Sequence, residues 1–461
     1  MLFLGDMNYK GVNFSFGFDG KQLELISRPG EQSNALELMP GFHSSGVYYS
    51  TGIGVPIESD YLKLSPSNAP KELILFPDSK TFTSTSIFQG SFRVGARAYC
   101  VLNPNAQIVG LRFHSPHLSK CYSDKTAVGM QYERETRQFS VHTENCKPLS
   151  SKFQFKGTTI FSDLFYTYKM CFTPGESPLA VESTLEFRFE AERDFSFIFE
   201  LALLARSFLN YCLQVSGAEF DSIELLVEKQ IDISYQEGPD RRNIVTRGGE
   251  LLLCHEAAEN SDDTKYHIPL GVKEGFEKSL LQMLADDKLS LRHLPLLAKV
   301  KTWDNARIIL LAASFDQEMS LLYPDGIPHG GSTVKAEQAV VEALKKVEGP
   351  SETRRLAARL IKLAETGDSF SSRMFQIYKD HTTLVKKLSR TAKSREAFAE
   401  LTKRIQGLRN SLAHGSLEVE YSNSLIDDIL TLEKLVLSIQ MLRLGLEDDD
   451  VIQMLEVSQS R

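Results

Sequence analysis

The sequence predicts an α+β protein with two domains, and three observations support this class. Its length of 461 residues exceeds what one compact core accommodates. Residues 1 to about 190 alternate apolar and polar positions in short runs, as strands do, whereas from about residue 270 the apolar positions follow helical spacing. We therefore expect an N-terminal antiparallel β sandwich or barrel-like domain with one packed helix, followed by an all-α helical bundle.

The strands are predicted from runs with a period of two residues. Asp19-Gly20 separates two such runs and is typical of a hairpin turn. The clearest runs are 13–18, 22–25, 72–76, 107–113 and 184–189. Many short strands separated by turn residues favour a sandwich or a barrel.

One helix interrupts the strand pattern. Asp194 is placed to cap it, and apolar residues from Phe195 to Leu209 follow at helical spacing. A strand at 222–227 comes next, so we expect this β-helix-β unit to end the N-terminal domain. The polar stretch that follows predicts loops around one strand at 251–254. The chain is thus divided into a β-rich domain, a connecting segment, a helical domain and an acidic tail at 1–240, 241–294, 295–445 and 446–461.

Seven segments of the C-terminal half each carry an apolar stripe. In the segment 394–414 the stripe has spacings of three and four residues, and Gly415 follows where a glycine commonly ends a helix. The acidic run Glu447–Asp450, after the last predicted helix, predicts a frayed tail. The predicted helices are 271–286, 304–322, 335–347, 352–366, 370–389, 394–414 and 423–444.

Composition narrows the class of protein. With 42% hydrophobic and 24% charged residues, the chain is an ordinary globular protein rather than a disordered one. We expect a cytoplasmic protein with no membrane contact, because no signal segment opens the chain and no apolar run reaches membrane length. The six cysteines lack a Cys-x-x-Cys pair, and no nearby acid or cysteine completes a metal-binding set with His114 and His117. No cofactor and no metal are therefore expected.

The positive charge is concentrated in one part of the chain. The formal net charge is −8, yet residues 291–410 contain 21 basic and 13 acidic side chains, a net charge of +8. Such a patch neutralises phosphates in nucleic-acid binders, and the alternative is a solvated helical face. The candidate RNA-binding residues are Lys386, Lys387, Arg390, Lys393, Arg395, Lys403 and Arg404.

The segment from Leu408 to Gly415 contains the candidate catalytic residues. Asn410 and His414 lie four residues apart, on one face of the predicted helix, and Arg409 precedes them. A guanidinium binds a phosphate with two parallel hydrogen bonds, and an imidazole transfers protons near neutral pH. The alternative is a His that bonds the last helix carbonyls beside an Arg that extends into solvent.

An Arg-Asn-x-x-x-His sequence that ends a helix of an all-helical domain resembles the HEPN superfamily (higher eukaryotes and prokaryotes nucleotide-binding). The resemblance covers about residues 295–445. It implies a metal-independent endoribonuclease whose active site forms across a homodimer of the helical domains. It also implies an acidic residue on the first helix of the domain, here Glu318 as the closer match, with Asp316 as the alternative.

The N-terminal half is similar to ApeA-like proteins in its opening hairpin, Tyr9–Val12 with Gly20–Leu25, and in the stretch from Phe187 to Leu225. This resemblance implies prokaryotic anti-phage defence by abortive infection, with tRNA as the implied target class. The β domain is then a sensor or inhibitory domain for a phage-derived or small-molecule trigger. Its alternating aromatic residues either line a ligand groove or form the core: Tyr9, Phe14, Phe16 and Phe18.

The sequence therefore predicts an RNA-cleaving enzyme. The substrate's 2′-OH attacks the adjacent phosphorus, His414 transfers the proton, Arg409 stabilises the phosphoryl charge and Asn410 positions the phosphate. Two alternatives stay open. One is a non-catalytic HEPN scaffold that dimerises or binds a nucleotide, and the other is the toxin of a toxin–antitoxin pair.

Overall fold

The computed structural model divides the chain into two compact units. The units comprise Met1–Leu213 with Gly217–Gly271 and Leu280–Asp286, and Gln214–Ser216 with Val272–Ser279 and Asp287–Arg461. The residues that the structure describes are 2–39, 54–86, 89–122, 128–133, 138–143, 146–170, 179–191, 193–215, 217–235, 238–254, 267–289, 305–328, 331–365, 369–415 and 421–459.

The first unit is built from antiparallel strands and three helices. Its helices are α1 (Gln32–Glu37), α2 (Leu118–Cys121) and α3 (Phe195–Leu213). Its strands are β1 (Phe3–Tyr9), β2 (Val12–Phe18), β3 (Gln22–Ser27), β4 (Val55–Pro56), β5 (Leu62–Leu64), β6 (Glu72–Pro77), β7 (Thr81–Ser86), β8 (Ser91–Leu102), β9 (Ile108–His114), β10 (Val128–Glu133), β11 (Gln138–Thr143), β12 (Leu149–Phe155), β13 (Thr158–Met170), β14 (Leu179–Arg188), β15 (Ser222–Tyr235) and β16 (Gly238–Leu253).

Fourteen of these strands form one branched sheet, whose main path is β1-β2-β3-β8-β16-β15-β9-β14-β13-β12. The branch point is the long strand β8. Residues Ser91–Gly95 pair with β3, while β7 pairs with the same half of β8 from the other side. The second half of β8 pairs with β6 and β16. The α+β class with an antiparallel sheet is thus confirmed, and the predicted sandwich or barrel takes the form of a branched sheet.

The alternating aromatic residues of β2 belong to the core. Phe14, Phe16 and Phe18 are 1%, 3% and 0% exposed, and the intervening residues face outward. The predicted hairpin is confirmed, because Phe18 pairs with Leu23 across a turn in which Gly20 has a φ of +99°. These side chains therefore stabilise the fold by burial rather than by lining a groove.

Helix α3 packs on the sheet as the sequence predicts. Phe199 stacks on Phe76 of β6 with 4.6 Å between ring centroids, and Phe197 lies 5.3 Å from Phe155 of β12. The Asp194 carboxylate accepts a hydrogen bond from the Phe197 N–H at 2.8 Å, which confirms the predicted cap. Among the described residues, α3 is the one helix long and apolar enough to cross a membrane. Since 67% of its most apolar stretch is buried, it is the core helix of this unit.

The second unit is helical. Its helices follow the predicted segments closely, and α4 is shared with the first unit. The helices are α4 (Phe276–Ala285), α5 (Asn305–Leu322), α6 (Gly331–Lys345), α7 (Ser351–Glu365), α8 (Phe370–Asp380), α9 (Thr382–Leu388), α10 (Arg395–Ala413), α11 (Asn423–Arg443) and α12 (Asp448–Gln459).

Helices α5 and α11 form the centre of the helical unit. Arg307 at the start of α5 pairs with Glu433 at 3.0 Å, and Glu318 further along α5 pairs with Arg443 at the end of α11. The two pairs lie 11 residues apart along α5 and 10 residues apart along α11, in the same direction, so the two helices run parallel. Helix α10, which carries the candidate catalytic residues, packs on α5, α8 and α11.

Two boundaries differ from the prediction. Strand β16 (Gly238–Leu253) pairs with β15 and β8, so the sheet extends into the segment 241–294 that the sequence assigned to a connection. The predicted helix 370–389 is two helices separated by His381, whose backbone φ and ψ are −125° and 45°. Both differences arise from tertiary contacts: strand pairing for β16, and a 2.6 Å contact of the His381 imidazole with Asp448.

The predicted frayed tail is wrong. Residues Asp448–Gln459 form helix α12, in which Val451 and Met454 are 0% and 1% exposed. These apolar residues lie three apart, on one face of the helix. The acidic run occupies the first turn, where negative charge favours a helix. The run therefore starts a packed helix.

Candidate active site at the end of helix α10

Helix α10 has a well-defined beginning and end. The Ala397 N–H donates to Ser394 Oγ at 3.2 Å and caps the first turn. At the other end the Gly415 N–H donates to the Leu412 carbonyl at 3.1 Å, and Gly415 has a φ of +85°. This left-handed residue confirms the predicted glycine stop. The predicted apolar stripe is buried: Phe398, Leu401, Ile405, Leu408 and Leu412.

Arg409 is held in one orientation by two neighbours. Its Nη2 lies 3.0 Å from Asp316 Oδ2, and its guanidinium carbon lies 5.5 Å from the centroid of the Phe370 ring. The side chain is nevertheless 36% exposed. The ring and the carboxylate thus fix one side of a cation that keeps access to solvent.

Asp316 is shared by two arginines. Arg373 on α8 donates from Nη1 to the Asp316 carbonyl oxygen at 2.6 Å, and the same nitrogen lies 3.6 Å from Asp316 Oδ1. Burial raises the pKa of the Asp316 carboxyl above its usual range, while Arg409 and Arg373 oppose this by stabilising the charged form. The cluster of one carboxylate and two guanidiniums has a net charge of +1.

Asn410 and His414 are exposed at the end of the helix. The His414 N–H donates to the Asn410 carbonyl at 3.0 Å, so the two residues occupy successive turns on one face. The predicted arrangement of these two residues on one face is therefore present. Both side chains are accessible to a substrate that approaches the end of α10.

Glu318 lies away from Arg409. Its carboxylate is 0% exposed, accepts a hydrogen bond from Gln440 Nε2 at 2.8 Å and pairs with the Arg443 guanidinium. The structure thus gives the role of Arg409's ion partner to Asp316, the alternative, rather than to Glu318. Glu318 instead joins α5 to α11.

The candidate RNA-binding cations are spread over the end of helix α9, the turn that follows it and helix α10. The 19 residues of this helix span about 28 Å at 1.5 Å per residue. Arg395 starts the helix, so it lies roughly that far from His414 at the end. The expectation that these cations crowd around the catalytic residues is therefore wrong for Arg395.

Several of these cations pair with acidic side chains. Arg404 binds the buried carboxylate of Asp428 through Nε and Nη2 at 2.6 and 3.0 Å, so it supports the packing of α10 on α11. Lys403 pairs with Glu400 at 2.7 Å on the same helix. These contacts fit a structural role for Arg404 and a solvated surface pair for Lys403.

The remaining cations surround the turn between α9 and α10. Arg390 lies 3.7 Å from Asp427, and Lys387 lies 3.8 Å from Glu456. Lys393 Nζ donates to the Lys386 carbonyl at 2.7 Å. Burial lowers the pKa of Lys434 on α11, and the positive charges of Arg390 and Lys393 lower it further. The turn therefore carries a local excess of positive charge.

Two contributors to the site were not identified from the sequence. Phe370 supports the Arg409 guanidinium, and Arg373 contacts Asp316. A signal for Arg373 exists in the sequence, because it lies three residues after Phe370 and four before Ile377, both of them buried. An arginine at a position of an apolar stripe indicates a partner inside the protein.

Comparisons with known proteins do not identify a family for this chain. The chain matches no protein-family model, no curated protein and no solved structure. Within the described residues, no group of three or more His, Cys, Asp or Glu side chains is placed to hold a metal ion. Any functional conclusion therefore depends on the site itself.

Proposed function

We propose that the chain is a metal-independent endoribonuclease of the HEPN type. The observation that supports this most strongly is the end of α10. There, Arg409 is oriented by Asp316 and Phe370 while staying 36% exposed, and exposed His414 and Asn410 follow within five residues. A fixed cation beside an accessible imidazole is what a phosphodiester transesterification needs.

The proposed reaction uses the 2′-OH of the RNA as the nucleophile. A new bond forms between the 2′ oxygen and phosphorus, and the bond from phosphorus to the 5′ oxygen breaks. The 2′ proton leaves to a base, and the departing 5′ oxygen takes a proton from an acid. The products are a 2′,3′-cyclic phosphate and a 5′-OH end. Arg409 stabilises the charge on the phosphoryl oxygens, and Asn410 positions the phosphate.

One imidazole cannot act as base and acid in the same step. In the proposed enzyme the His414 residues of two copies share these roles, as the resemblance to HEPN ribonucleases implies. The exposed position of His414 at the end of α10 is compatible with such sharing. The active form is therefore proposed to be a homodimer through the helical unit.

The biological setting of the proposal comes from the resemblance to ApeA-like proteins. It is cytoplasmic anti-phage defence by abortive infection, with tRNA as the substrate class. The first unit then senses a phage-derived or small-molecule trigger. The burial of Phe14, Phe16 and Phe18 in the core means that this trigger binds elsewhere on the unit.

The proposal is tested by incubating the purified full chain with total RNA in the presence of EDTA, with and without an extract of phage-infected cells as trigger. We expect discrete cleavage that leaves 5′-OH ends, and its loss in His414→Ala and Arg409→Ala. Arg359→Ala, which removes an exposed arginine of α7, serves as the matched control. Intact RNA under every condition would exclude the ribonuclease. Sequencing of the 5′-OH ends identifies the substrate.

One observation favours a non-catalytic scaffold as the second candidate. Arg409 is already engaged by a carboxylate and a ring, so it is also suited to stabilising the packing of α10 on α5. The two candidate functions predict different growth of cells that express the chain. Toxicity on expression that disappears in Arg409→Ala, with the chain still folded, supports the nuclease. Equal growth with both chains supports the scaffold.

A further inference from the structure

We infer that Arg373 is a second phosphate-binding residue of the Arg409 site. This inference rests on the proposed function, because it assigns part of the RNA backbone to a residue of the same site. It starts from the Asp316 carboxylate, which is contacted by two guanidiniums. Arg409 approaches Oδ2 at 3.0 Å, and Arg373 approaches Oδ1 at 3.6 Å.

The geometry places the two guanidiniums on either side of one carboxylate. Arg373 is also fixed by the 2.6 Å hydrogen bond from its Nη1 to the Asp316 carbonyl oxygen. Its orientation therefore does not depend on the carboxylate alone. Both arginines come from different helices, α10 and α8, and both helices pack on α5.

Charge and donor count favour an anion at this position. Two cations and one acid leave a net charge of +1, and a guanidinium has five N–H donors. The contacts with Asp316 use Nη2 of Arg409 and Nη1 of Arg373. The other donors of each guanidinium can therefore bind phosphate oxygens in the planar, two-bond manner that arginine favours.

Accessibility supports the same assignment. Arg409, Arg373 and Asp316 are 36%, 21% and 22% exposed, so all three side chains of the cluster reach the surface. A purely structural ion pair of this kind needs one arginine for one acid. The second arginine supplies the excess charge that a phosphodiester neutralises.

The test uses the full chain and a short single-stranded oligoribonucleotide methylated at every 2′ oxygen, which cannot be cleaved through the 2′-OH. Its affinity is measured over a series of salt concentrations. Loss of one phosphate contact is expected to lower the slope of log affinity against log salt by about 0.7. Arg373→Gln should show this loss and bind about tenfold more weakly. Arg373→Lys should restore most of the slope, and Arg359→Gln should match the unmodified chain.

A second measurement covers the case in which Arg373→Gln fails to fold. Phenylglyoxal reacts with accessible arginines of the chain without substitutions, and mass spectrometry locates the adducts. The oligonucleotide should protect Arg373 and leave Arg359 reactive. Absence of oligonucleotide binding, an unchanged slope in a folded Arg373→Gln, or unprotected Arg373 would each overturn the inference.

The outcomes also separate this inference from the ribonuclease. If binding depends on Arg373 but unmodified RNA stays intact, the anion site stands and the nuclease fails. If RNA is cleaved, and Arg373→Gln lowers kcat with no change in KM or in the salt slope, Arg373 only braces Asp316. In that case this inference fails and the nuclease stands.

Discussion

Two faces of helix α5 carry carboxylates with opposite surroundings. Asp316 is partly exposed and shared by Arg409 and Arg373, whereas Glu318 is fully buried with Arg443 and Gln440. The two residues are separated by about 200° around the helix axis. One face therefore meets the candidate active site on α10, and the other meets α11.

The difference teaches what each acid is suited to do. A carboxylate near solvent orients a functional arginine at little cost to the fold, because water screens the pair. A carboxylate without solvent contact must stay paired, because an isolated buried charge is strongly unfavourable. We therefore expect substitutions at Asp316 to change function and substitutions at Glu318 to change stability.

The largest expected effect is the loss of stability in Glu318→Ala. Removing this acid leaves the Arg443 guanidinium, which is 9% exposed, without its ion partner. Loss of one partner of a buried pair costs about 3–5 kcal/mol. Urea unfolding followed by circular dichroism measures this change. The matched control is Asp316→Ala, for which we expect less than about 1 kcal/mol. Equal losses in both variants would contradict the comparison.

The next effect concerns Glu433, a third acid that faces α5. Burial raises its pKa to about 7, although Arg307 stabilises its charged form. The folded chain therefore holds a proton that the unfolded chain releases between pH about 4.5 and about 7. The free energy of unfolding should fall by up to about 3 kcal/mol as pH rises through this range.

Glu433→Gln removes this titration and keeps the shape of the side chain. We expect the difference in stability between the unmodified chain and Glu433→Gln to depend on pH between 5 and 7. Asp428→Asn serves as a control, because Asp428 also lies on α11 and its carboxylate is buried against Arg404 of α10. A difference that is constant with pH would show that burial does not govern the charge of Glu433.

For Asp316→Asn we expect a change in the rate of RNA cleavage, with a smaller free-energy change than for the variants above. Without the charge of Asp316 the Arg409 guanidinium is less firmly oriented, so RNA cleavage should slow about tenfold, or about 1.4 kcal/mol in the barrier. The unfolding midpoint should change little. Cleavage rates of the two chains on the same RNA measure the effect. An unchanged cleavage rate in a folded Asp316→Asn chain would show that Asp316 has no role in the candidate site.

The smallest expected effect is the coupling between Asp316 and Arg409 in stability. A double-mutant cycle of Asp316→Ala with Arg409→Ala should give about 0.5 kcal/mol, as for other exposed pairs. The same cycle on Glu318 and Arg443 should give several times more. Similar coupling energies in the two pairs would mean that solvent exposure does not determine how much each pair contributes to stability.

The fold was largely predictable because most elements are specified by local periodicity. The hairpin at Asp19-Gly20, the cap of α3 at Asp194 and the glycine stop of α10 at Gly415 all follow from short-range patterns, and the structure contains each one. Strand β16 was predicted only over its last residues, since its partners β8 and β15 supply the pairing. Helix α12 was not predicted, because its acidic first turn indicated a frayed tail.

The candidate site was predictable in its parts and not in its connections. Arg409, Asn410 and His414 follow from one short segment of α10. The acid that pairs with Arg409 follows from the packing of α10 against α5, which places Asp316 and not Glu318 beside the guanidinium. A signal was present, because Glu318 lies three residues after buried Phe315 and so shares the apolar stripe of α5.

The sequence by itself determined the two-part organisation, most of the elements and the cluster of chemical groups at the end of α10. Period-two and helical patterns and turn residues act over a few residues, so they are readable without the fold. Only the tertiary structure decided which charges meet. It paired Asp316 with Arg409 and Arg373, and it buried Glu318 against Arg443. The reason is that an ion pair depends on the packing of helices distant in sequence, which residue spacing along one helix does not specify.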